Sequence, residues 1–434
     1  MDGVGRWSER PAARVLIAVI LAALFVGGAL VHAQRVNVDW RTHDQGSYIA
    51  YAKSIHDSRG QALGNRLQMP AVPELLSTFY RDGETPAEFF PRAKLVCIAL
   101  GALAATLAGV LLWWRLPRAP AAVVGCVAVF FVFAFRAGYV QAEPLSYVSI
   151  FALFLAMTDA WRRPSWPLAA AIGLVLAAAF MIKATALLGF YVFALCVVSR
   201  AAVRVVRGPS ASDAVPLAQL ALSFGIFLAA IWPYASNSRR HFGQYLYNTS
   251  STYVMWCDSW EDFLSRIARH DELPTFRTYW QTHTLGQMAW RELRGLGEVL
   301  GNCLISHGYA LFVLLYLAIF VAMVRKHADV KHALFRRDPH APAWFVVPYL
   351  LAHLLLFGWY GPIAAGNRFI LGMLLPSMYS VAAGLSAHAK PEHALELRGR
   401  SFDWTKLNVA ILVLVAVHLV LYFPYAIATH YSGG

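Results

Sequence analysis

Charge is scarce in this chain. Asp, Glu, Lys and Arg together make up 14% of its 434 residues, against 58% hydrophobic residues, and the mean hydropathy is +0.50. A soluble domain of this length cannot hide that much apolar surface in one core, so the composition excludes the soluble classes and points to a multi-pass membrane protein. Acidic residues are the scarcer sign, 24 against 37 Lys and Arg, giving a formal net charge of +13. Cysteine is sparse as well. Of five, Cys97, Cys126 and Cys196 fall inside apolar runs, where they act as small apolar side chains. Only Cys257 and Cys303 sit where a bridge between them is open. Several signatures are missing too: no phosphate-cradling Gly loop with Lys and Ser/Thr, no Gly-x-Ser-x-Gly elbow and no His-Glu-x-x-His helix. There is no internal repeat or low-complexity tract. His32, His307 and His353 stand singly on apolar faces and read as packing residues, and Asn248-Thr249-Ser250 is a glycan-acceptor match too short to carry weight.

What the chain does have is long hydrophobic runs. Crossing a hydrocarbon core of about 30 Å takes about 20 apolar residues, and eleven such runs start near Val15, Leu95, Ala119, Leu145, Leu168, Ala184, Leu217, Cys303, Trp344, Phe369 and Leu407. The first follows Arg6, Arg10 and Arg14 and continues to Val31 without a small-residue cleavage pattern, so it reads as an anchor with a cytoplasmic N-terminus. Alternating from there puts five basic connectors on the cytoplasmic side: Arg115/Arg118, Arg162/Arg163, Arg200/Arg204/Arg207, Arg325 to Arg337, and Lys390/Arg398/Arg400. That is the positive-inside pattern. Topology and an anionic lipid surface thus account for the basic excess, and nucleic acid is not an expected partner.

Two connectors are long, residues 34 to about 92 and 235 to about 302, and both fall on the outer side. The expected architecture is an all-α polytopic membrane protein with about eleven transmembrane helices and two long extracytoplasmic loops carrying interfacial helices. It divides into an N-terminal transmembrane module (1–250) containing the first outer loop (34–92), an extracytoplasmic loop with amphipathic helices (251–302) and C-terminal transmembrane helices (303–434). In the first loop Tyr48, Tyr51, Ala52 and Ile55 share one face of a helix from Ser47 to His56. In the second, Trp260, Phe263, Leu264 and Ile267 follow a Ser259 cap, and Leu285, Met288, Leu296 and Val299 repeat the spacing. Such helices either lie on the bilayer face or pack over the bundle.

Function belongs on the outer side, where the acids cluster. Asp44, in His43-Asp44-Gln45-Gly46-Ser47-Tyr48, opens the first-loop helix as either a helix cap or a functional carboxylate. Asp39 is a second acid by position, without a helical pattern after it. Glu143, in Gln141-Ala142-Glu143-Pro144, is pressed into a connector of a few residues between two spans, where an acid is costly to desolvate and needs a cation or a ligand. Arg136, Lys183 and Arg368 lie on the same side, with Arg239 and Arg240 in the second loop. Each either snorkels to the interface or joins the others in holding a phosphate at the outer leaflet.

In this order the motifs resemble the GT-C superfamily of polyprenyl-phosphate-sugar glycosyltransferases, which contains the protein mannosyltransferases and the aminoarabinose transferase of lipid A. The resemblance rests on the acid-then-helix stretch His43 to Tyr48, on Ala142-Glu143-Pro144-Leu145, on Lys183-Ala184-Thr185 in a short break after the fifth span, and on Asn367-Arg368-Phe369-Ile370-Leu371 opening a late span. Trp232-Pro233-Tyr234, running into Asn237 to Gly243, looks like the family's exit into its major outer loop. One departure stands out: the first-loop acidic pair is often Asp-Glu, and here it is Asp44-Gln45, so a second carboxylate for a divalent cation would have to be Asp39 or Glu143.

The resemblance implies an integral membrane glycosyltransferase in a bacterial inner membrane, its active site facing the periplasm or exterior. It would move a sugar, with inversion, from a polyprenyl-phosphate donor to a glycan, lipid or protein acceptor. Asp44 would be the general base and Glu143 the orienting acid, with Arg368, Lys183, Arg239 and Arg240 on the donor phosphate and His43, Tyr48 and Arg136 toward substrate. No cofactor is required by the motifs, with a divalent cation the open one. The competing class is a transporter or flippase for a lipid-linked or small anionic substrate, suggested by the span count and by Lys183 inside an apolar stretch. The missing repeat and the placement of the acids at the membrane rim speak against it.

Overall fold

The computed structural model describes residues 11–430 except 63–65, 208–213, 306–307, 335–340, 365–367, 369, 391 and 398–399. His307, Gly366, Asn367 and Phe369 therefore lie outside the described residues, as does the side chain of Cys303; Cys257 is a buried free thiol.

Among the described residues, nine helices are long and apolar enough to cross a membrane: α1 (Pro11–Arg35, apolar from Leu16), α4 (Pro86–Arg115), α5 (Arg118–Ala137), α6 (Glu143–Arg162), α8 (Ala186–Arg207), α14 (Tyr309–Lys326), α15 (Ala343–Tyr360), α16 (Leu374–His388, led by a 3-10 turn from Ile370) and α17 (Trp404–Leu421). A tenth is the pair α9 (Ala214–Ala230) and α10 (Trp232–Phe242), bent by 68° where Pro233 enters the second helix. The expected fifth span is α7 (Trp166–Ile182), an apolar helix of 17 residues, at the short end of what crosses a membrane. The helices between these include α2 (Gln45–Asp57), α3 (Ala71–Ser77), α11 (Trp260–Arg269), α12 (Phe276–Thr282) and α13 (Leu285–Ile305), with short turns of helix at Thr249–Thr252 and Ala328–Leu334, and α18 (Phe423–Thr429) follows the last span. One antiparallel hairpin, Leu395–Leu397 with Arg400–Phe402, is the small exception to an all-α architecture.

The bundle is layered around α5 and α6, each buried over 67% of its span, whereas the first and last spans are 22% buried and spend their Leu, Ile and Val on the lipid side. Loop helices form for local reasons. α4 begins with a reciprocal cap in which Thr85 Oγ1 accepts from the Glu88 amide and Glu88 accepts from the Thr85 amide. α11 begins on Ser259, whose Oγ accepts from Asp262 N at 3.1 Å. In α2 the expected face, Tyr48, Tyr51, Ala52 and Ile55, is buried, Tyr48 and Ala52 in one cluster with Val72, Leu76, Phe89 and Val140, as a roof over the helix ends. The second-loop helices do both things expected of them. Phe263, Met288 and Val299 pack inward, while Trp260, Leu264, Ile267, Trp290 and Leu293 stay exposed.

Two contacts lock the loops to the bundle. Helix α13 crosses α15 with glycine on glycine: a Cβ at Gly295 would lie 1.8 Å from the Gly358 carbonyl oxygen, so a side chain there is impossible without separating the helices. Arg66 lies over the Tyr234 ring at 4.3 Å and donates to Asn237 Oδ1 at 3.1 Å, while its carbonyl accepts from Asn248 Nδ2 at 2.9 Å. The two long loops are thereby joined to each other.

At the other end of the bundle the basic connectors gather. Arg115 pairs with Asp159 at 2.6 Å, Arg200 donates to the Trp161 carbonyl at 3.0 Å, and the Trp161 indole donates to Ala341 O at 3.1 Å.

Candidate active site

The ends of α1, α5, α6, α7 and α15 nearest α2 meet beneath it, and polar side chains tie several of them together. Asn37, just past α1, donates to the Gly138 carbonyl at 2.9 Å and exchanges two 2.8 Å hydrogen bonds with the Gln45 amide. Gln45 Oε1 also accepts from Val140 N at 3.0 Å. Lys94 Nζ donates to the carbonyls of Ala33 and Asn37 at 2.6 and 3.0 Å. Gln45, the position where the resemblance leads one to look for a second acid, is thus a buried amide using both its donor and its acceptor. Gln45→Glu removes the donor, sets a carboxylate against Asn37 Oδ1 and buries a charge. A loss of about 1–3 kcal/mol is expected, read as a lower thermal midpoint in detergent; a midpoint matching wild type would refute this account of the α1–α2 junction.

On this scaffold stand two ion pairs. Arg368 Nη1 donates to Asp44 Oδ2 at 2.6 Å, joining positions 324 apart in sequence, and Lys183 Nζ donates to Glu143 Oε1 at 3.2 Å. Asp44 sits at the N-cap of α2, yet its side chain makes no cap hydrogen bond. The capping alternative therefore does not describe this carboxylate. Glu143 is the first residue of α6 ahead of Pro144, and its second oxygen, Oε2, is buried without a hydrogen-bond partner. Lys183 is the cap residue ending α7, in extended backbone (φ −155°), which is how a lysine inside an apolar run reaches Glu143. Arg368 is fixed from behind, its carbonyl accepting from the Tyr147 hydroxyl at 2.7 Å. Arg136, 2% exposed at the end of α5, is a third cation within electrostatic reach of Glu143.

His43 and Tyr48 flank the pairs. His43 holds a left-handed backbone (φ 54°) that costs a non-glycine residue of order 1–3 kcal/mol. Partial burial of the ring, then the Arg368 charge, holds its pKa below the ordinary histidine value. Tyr48 is pushed well above the ordinary phenol range by burial and then by Glu143 and Asp44, and stays protonated.

The remaining sequence candidates point elsewhere. Asp39 is exposed and accepts from the Arg41 amide at 2.9 Å, shaping its own turn. Arg239 and Arg240 lie on the exposed face of α10, whose buried side is Tyr234, Ala235 and Ser238, and Arg239 donates to the Gly243 carbonyl at the helix end. No contact among the described residues joins these three to the ion pairs. His353, read from sequence as a hydrogen-bonded packing residue, is buried among Tyr349 and Phe357 as expected and also lines the cleft beside the ion pairs. Its Nδ1 donates to the Tyr349 carbonyl at 2.8 Å, and its Nε2, buried and without a hydrogen-bond partner, belongs to a cleft lined also by Tyr147, Ile150, Lys183, Phe357 and Arg368. Its sequence signal was a histidine in an otherwise apolar span. The cleft is apolar along Ile150 and Phe357 and cationic at Lys183 and Arg368.

No family model and no curated protein matches this sequence. Solved structures do. The crystal structure of the Archaeoglobus fulgidus oligosaccharyltransferase in complex with Zn and sulfate is similar at a TM-score of 0.51 and 16% identity, over 93% of this chain and 52% of that one. The likeness is one of fold, a helical membrane bundle shared with that archaeal enzyme. The archaeal oligosaccharyltransferase AglB from the same organism, in complex with an inhibitory peptide and a dolichol-phosphate, matches at 12% identity and a TM-score of 0.47, over 94% of this chain and 55% of that one. The chain spans about half the length of these neighbours.

Proposed function

We propose that this protein is a membrane glycosyltransferase that moves a sugar from a polyprenyl-phosphate carrier to an acceptor at the extracytoplasmic face, in a bacterial inner membrane oriented with its basic connectors in the cytoplasm. The observation that carries the reading is the paired arrangement of Asp44 with Arg368 and Glu143 with Lys183 at the mouth of a half-apolar, half-cationic cleft. With Arg136, three cations face two carboxylates in a buried setting. The surplus positive charge suits an anionic group, and Ile150 and Phe357 offer its lipid tail an apolar wall.

In the reaction the donor phosphate sits between Arg368 and Lys183. Its charge draws Arg368 from Asp44, so the base is released by the arrival of its own donor. The acceptor oxygen or nitrogen attacks the anomeric carbon while its proton passes to Asp44. The bond from that carbon to the phosphate oxygen breaks, its electron pair leaves with polyprenyl phosphate, and the configuration inverts. Arg368 and Lys183 neutralise the charge growing on the leaving oxygen, the electrostatic work that usually contributes most. Glu143 Oε2 and His353 Nε2, two buried acceptors at the cleft without hydrogen-bond partners in the protein, take hydrogen bonds from hydroxyl groups of the substrates.

The zinc of the archaeal neighbour prompts a test of the donor set. Asp44 and Glu143 are each already neutralised by a cation, and no group of three His, Cys, Asp or Glu side chains suited to a metal occurs among the described residues. The set does not fit a divalent ion, and no step runs through one. The experiment is transfer of radiolabelled sugar from a polyprenyl-phosphate donor by the protein in vesicles containing EDTA. Expected are labelled acceptor and free polyprenyl phosphate in equal amounts, at a rate the chelator leaves unchanged. Movement of labelled solute across the vesicle with no new glycosidic bond would install the transporter reading instead.

A further inference from the structure

Helices α13 and α15 cross on glycines, and one carboxyl lies inside the crossing. Besides the contact of Gly295 with the Gly358 carbonyl, a Cβ at Gly361 would lie 2.8 Å from Gly295 Cα. Glu292, one turn before Gly295 on α13, reaches over Gly358 together with Leu296: a Cβ at Gly358 would meet Glu292 Oε1 at 2.5 Å and Leu296 Cγ at 2.7 Å. That oxygen is buried, and it has no hydrogen-bond partner in the protein. The surroundings offer it no donor. Gly358 lacks a side chain, its amide is used inside α15, and it stands in the last turn of a helix that ends at Tyr360, where the carbonyl ends of the peptide dipoles disfavour a carboxylate. Arg291 is next in the chain but is engaged elsewhere. It donates to the Trp359 carbonyl at 3.3 Å and the Met255 carbonyl at 3.2 Å, lies over the Trp359 ring at 4.5 Å and stands 3.7 Å from Asp258. Through those bonds, and through the Trp359 indole donating to Met255 O at 2.8 Å, the second long loop is seated on α15.

The other titratable groups on the elements around Glu292 are Tyr360 on α15, hydrogen-bonded to Ser250, and His353, bonded to the Tyr349 carbonyl; Tyr309 on α14; Asp258, Tyr279 and His283, gathered about Arg291; and Arg294 with Glu298 on α13, paired at 2.7 Å. The charge that acts on Glu292 is Arg291. Burial drives the Glu292 carboxyl up from the ordinary range to about 7, with Arg291 pulling part of the way back. We propose that the α13–α15 crossing is a proton-operated latch: with Glu292 protonated the neutral carboxyl stays folded against Gly358 and the glycine contact holds, and with Glu292 ionised the carboxylate leaves for water, α13 lifts from α15 and the seat of the second loop on Trp359 loosens. The open state binds fewer protons than the closed one from the ordinary carboxyl range up to about 7, so opening becomes easier as pH rises through that window and levels off above it. The latch holds in acid and slackens toward alkaline pH.

The test is amide hydrogen exchange of the full chain in lipid nanodiscs, read over residues 285–299 for wild type and Glu292→Gln from about pH 5 to about pH 9, with the ratio of the two rates cancelling the pH dependence of exchange itself. The ratio is expected to rise by roughly tenfold and to stop rising near pH 7; one pKa unit is a factor of ten, and the solvent that reaches the half-buried carboxyl reduces the effect of the full shift. Residues 253–258 are expected to follow the same profile, because Arg291 ties them to α13. Glu292→Met, unbranched and uncharged, replaces the glutamine variant should that one fail to fold, and is expected to give the same rise. Glu298→Gln removes a carboxyl from the same helix that is paired with Arg294, and is expected to keep the wild-type profile. A ratio that is flat or falls with pH, or a wild-type profile lost in Glu298→Gln, would each overturn the proposal.

Discussion

Asp44→Asn is expected to slow sugar transfer by roughly two to four orders of magnitude, the range spanned by removal of a general base, while donor binding holds or tightens. The tightening is the informative half. In the resting protein Arg368 is engaged by Asp44 at 2.6 Å, and a donor phosphate has to compete for it. The asparagine amide keeps the shape and surrenders the charge, so Arg368 is left more available to the phosphate. A lower kcat at equal or lower KM for the donor is therefore the signature, separate from the fall in both kcat and fold stability that a purely structural pair would give. A variant that transfers sugar at the wild-type rate removes Asp44 from the chemistry.

The second large effect is on the buried pair below it. Lys183→Met takes from Glu143, 2% exposed, its hydrogen-bonded counter-ion and leaves Arg368 and Arg136 to act on it without a hydrogen bond, and the expected loss is up to about 3–5 kcal/mol of stability. Glu143→Gln in the same chain removes that charge and should recover most of the loss, because a neutral pair in a low-dielectric site no longer pays for desolvation. The double variant should be folded and inactive. If Lys183→Met alone melts as wild type does, Lys183 reaches solvent and is not the counter-ion of Glu143.

Several parts of this site were legible in the sequence for a simple physical reason. Ionisable residues inside or beside apolar runs are costly, so Asp44, Glu143, Lys183 and Arg368 each stood out one at a time. Their pairing was not legible. Nothing in local spacing connects Asp44 to Arg368, which meet only because α15 ends and α16 begins beneath the first-loop roof. Asp39, Arg239 and Arg240 show the converse. They have suitable chemistry in the outer loops, and the backbone around them directs it outward: Asp39 closes a turn on Arg41, and the two arginines occupy the helix face away from Tyr234. His353 both packs and lines the cleft, and a histidine in an apolar helix looks the same from sequence in either role. The helices were more readable than their lengths. Nine apolar spans and one bent pair appear at the expected places, and the fifth, Trp166–Ile182, is a 17-residue apolar helix that ends where Lys183 enters extended backbone.

Arg66 gathers Tyr51, Tyr234, Asn237 and Asn248 from segments far apart in the chain, and it does so with a left-handed backbone at φ 58°. A clasp of that kind makes the canopy thermodynamically one body: slackening the early loop slackens the late one, and neither can be remodelled alone. Variation in what the protein recognises is thereby steered toward the segments outside the clasp.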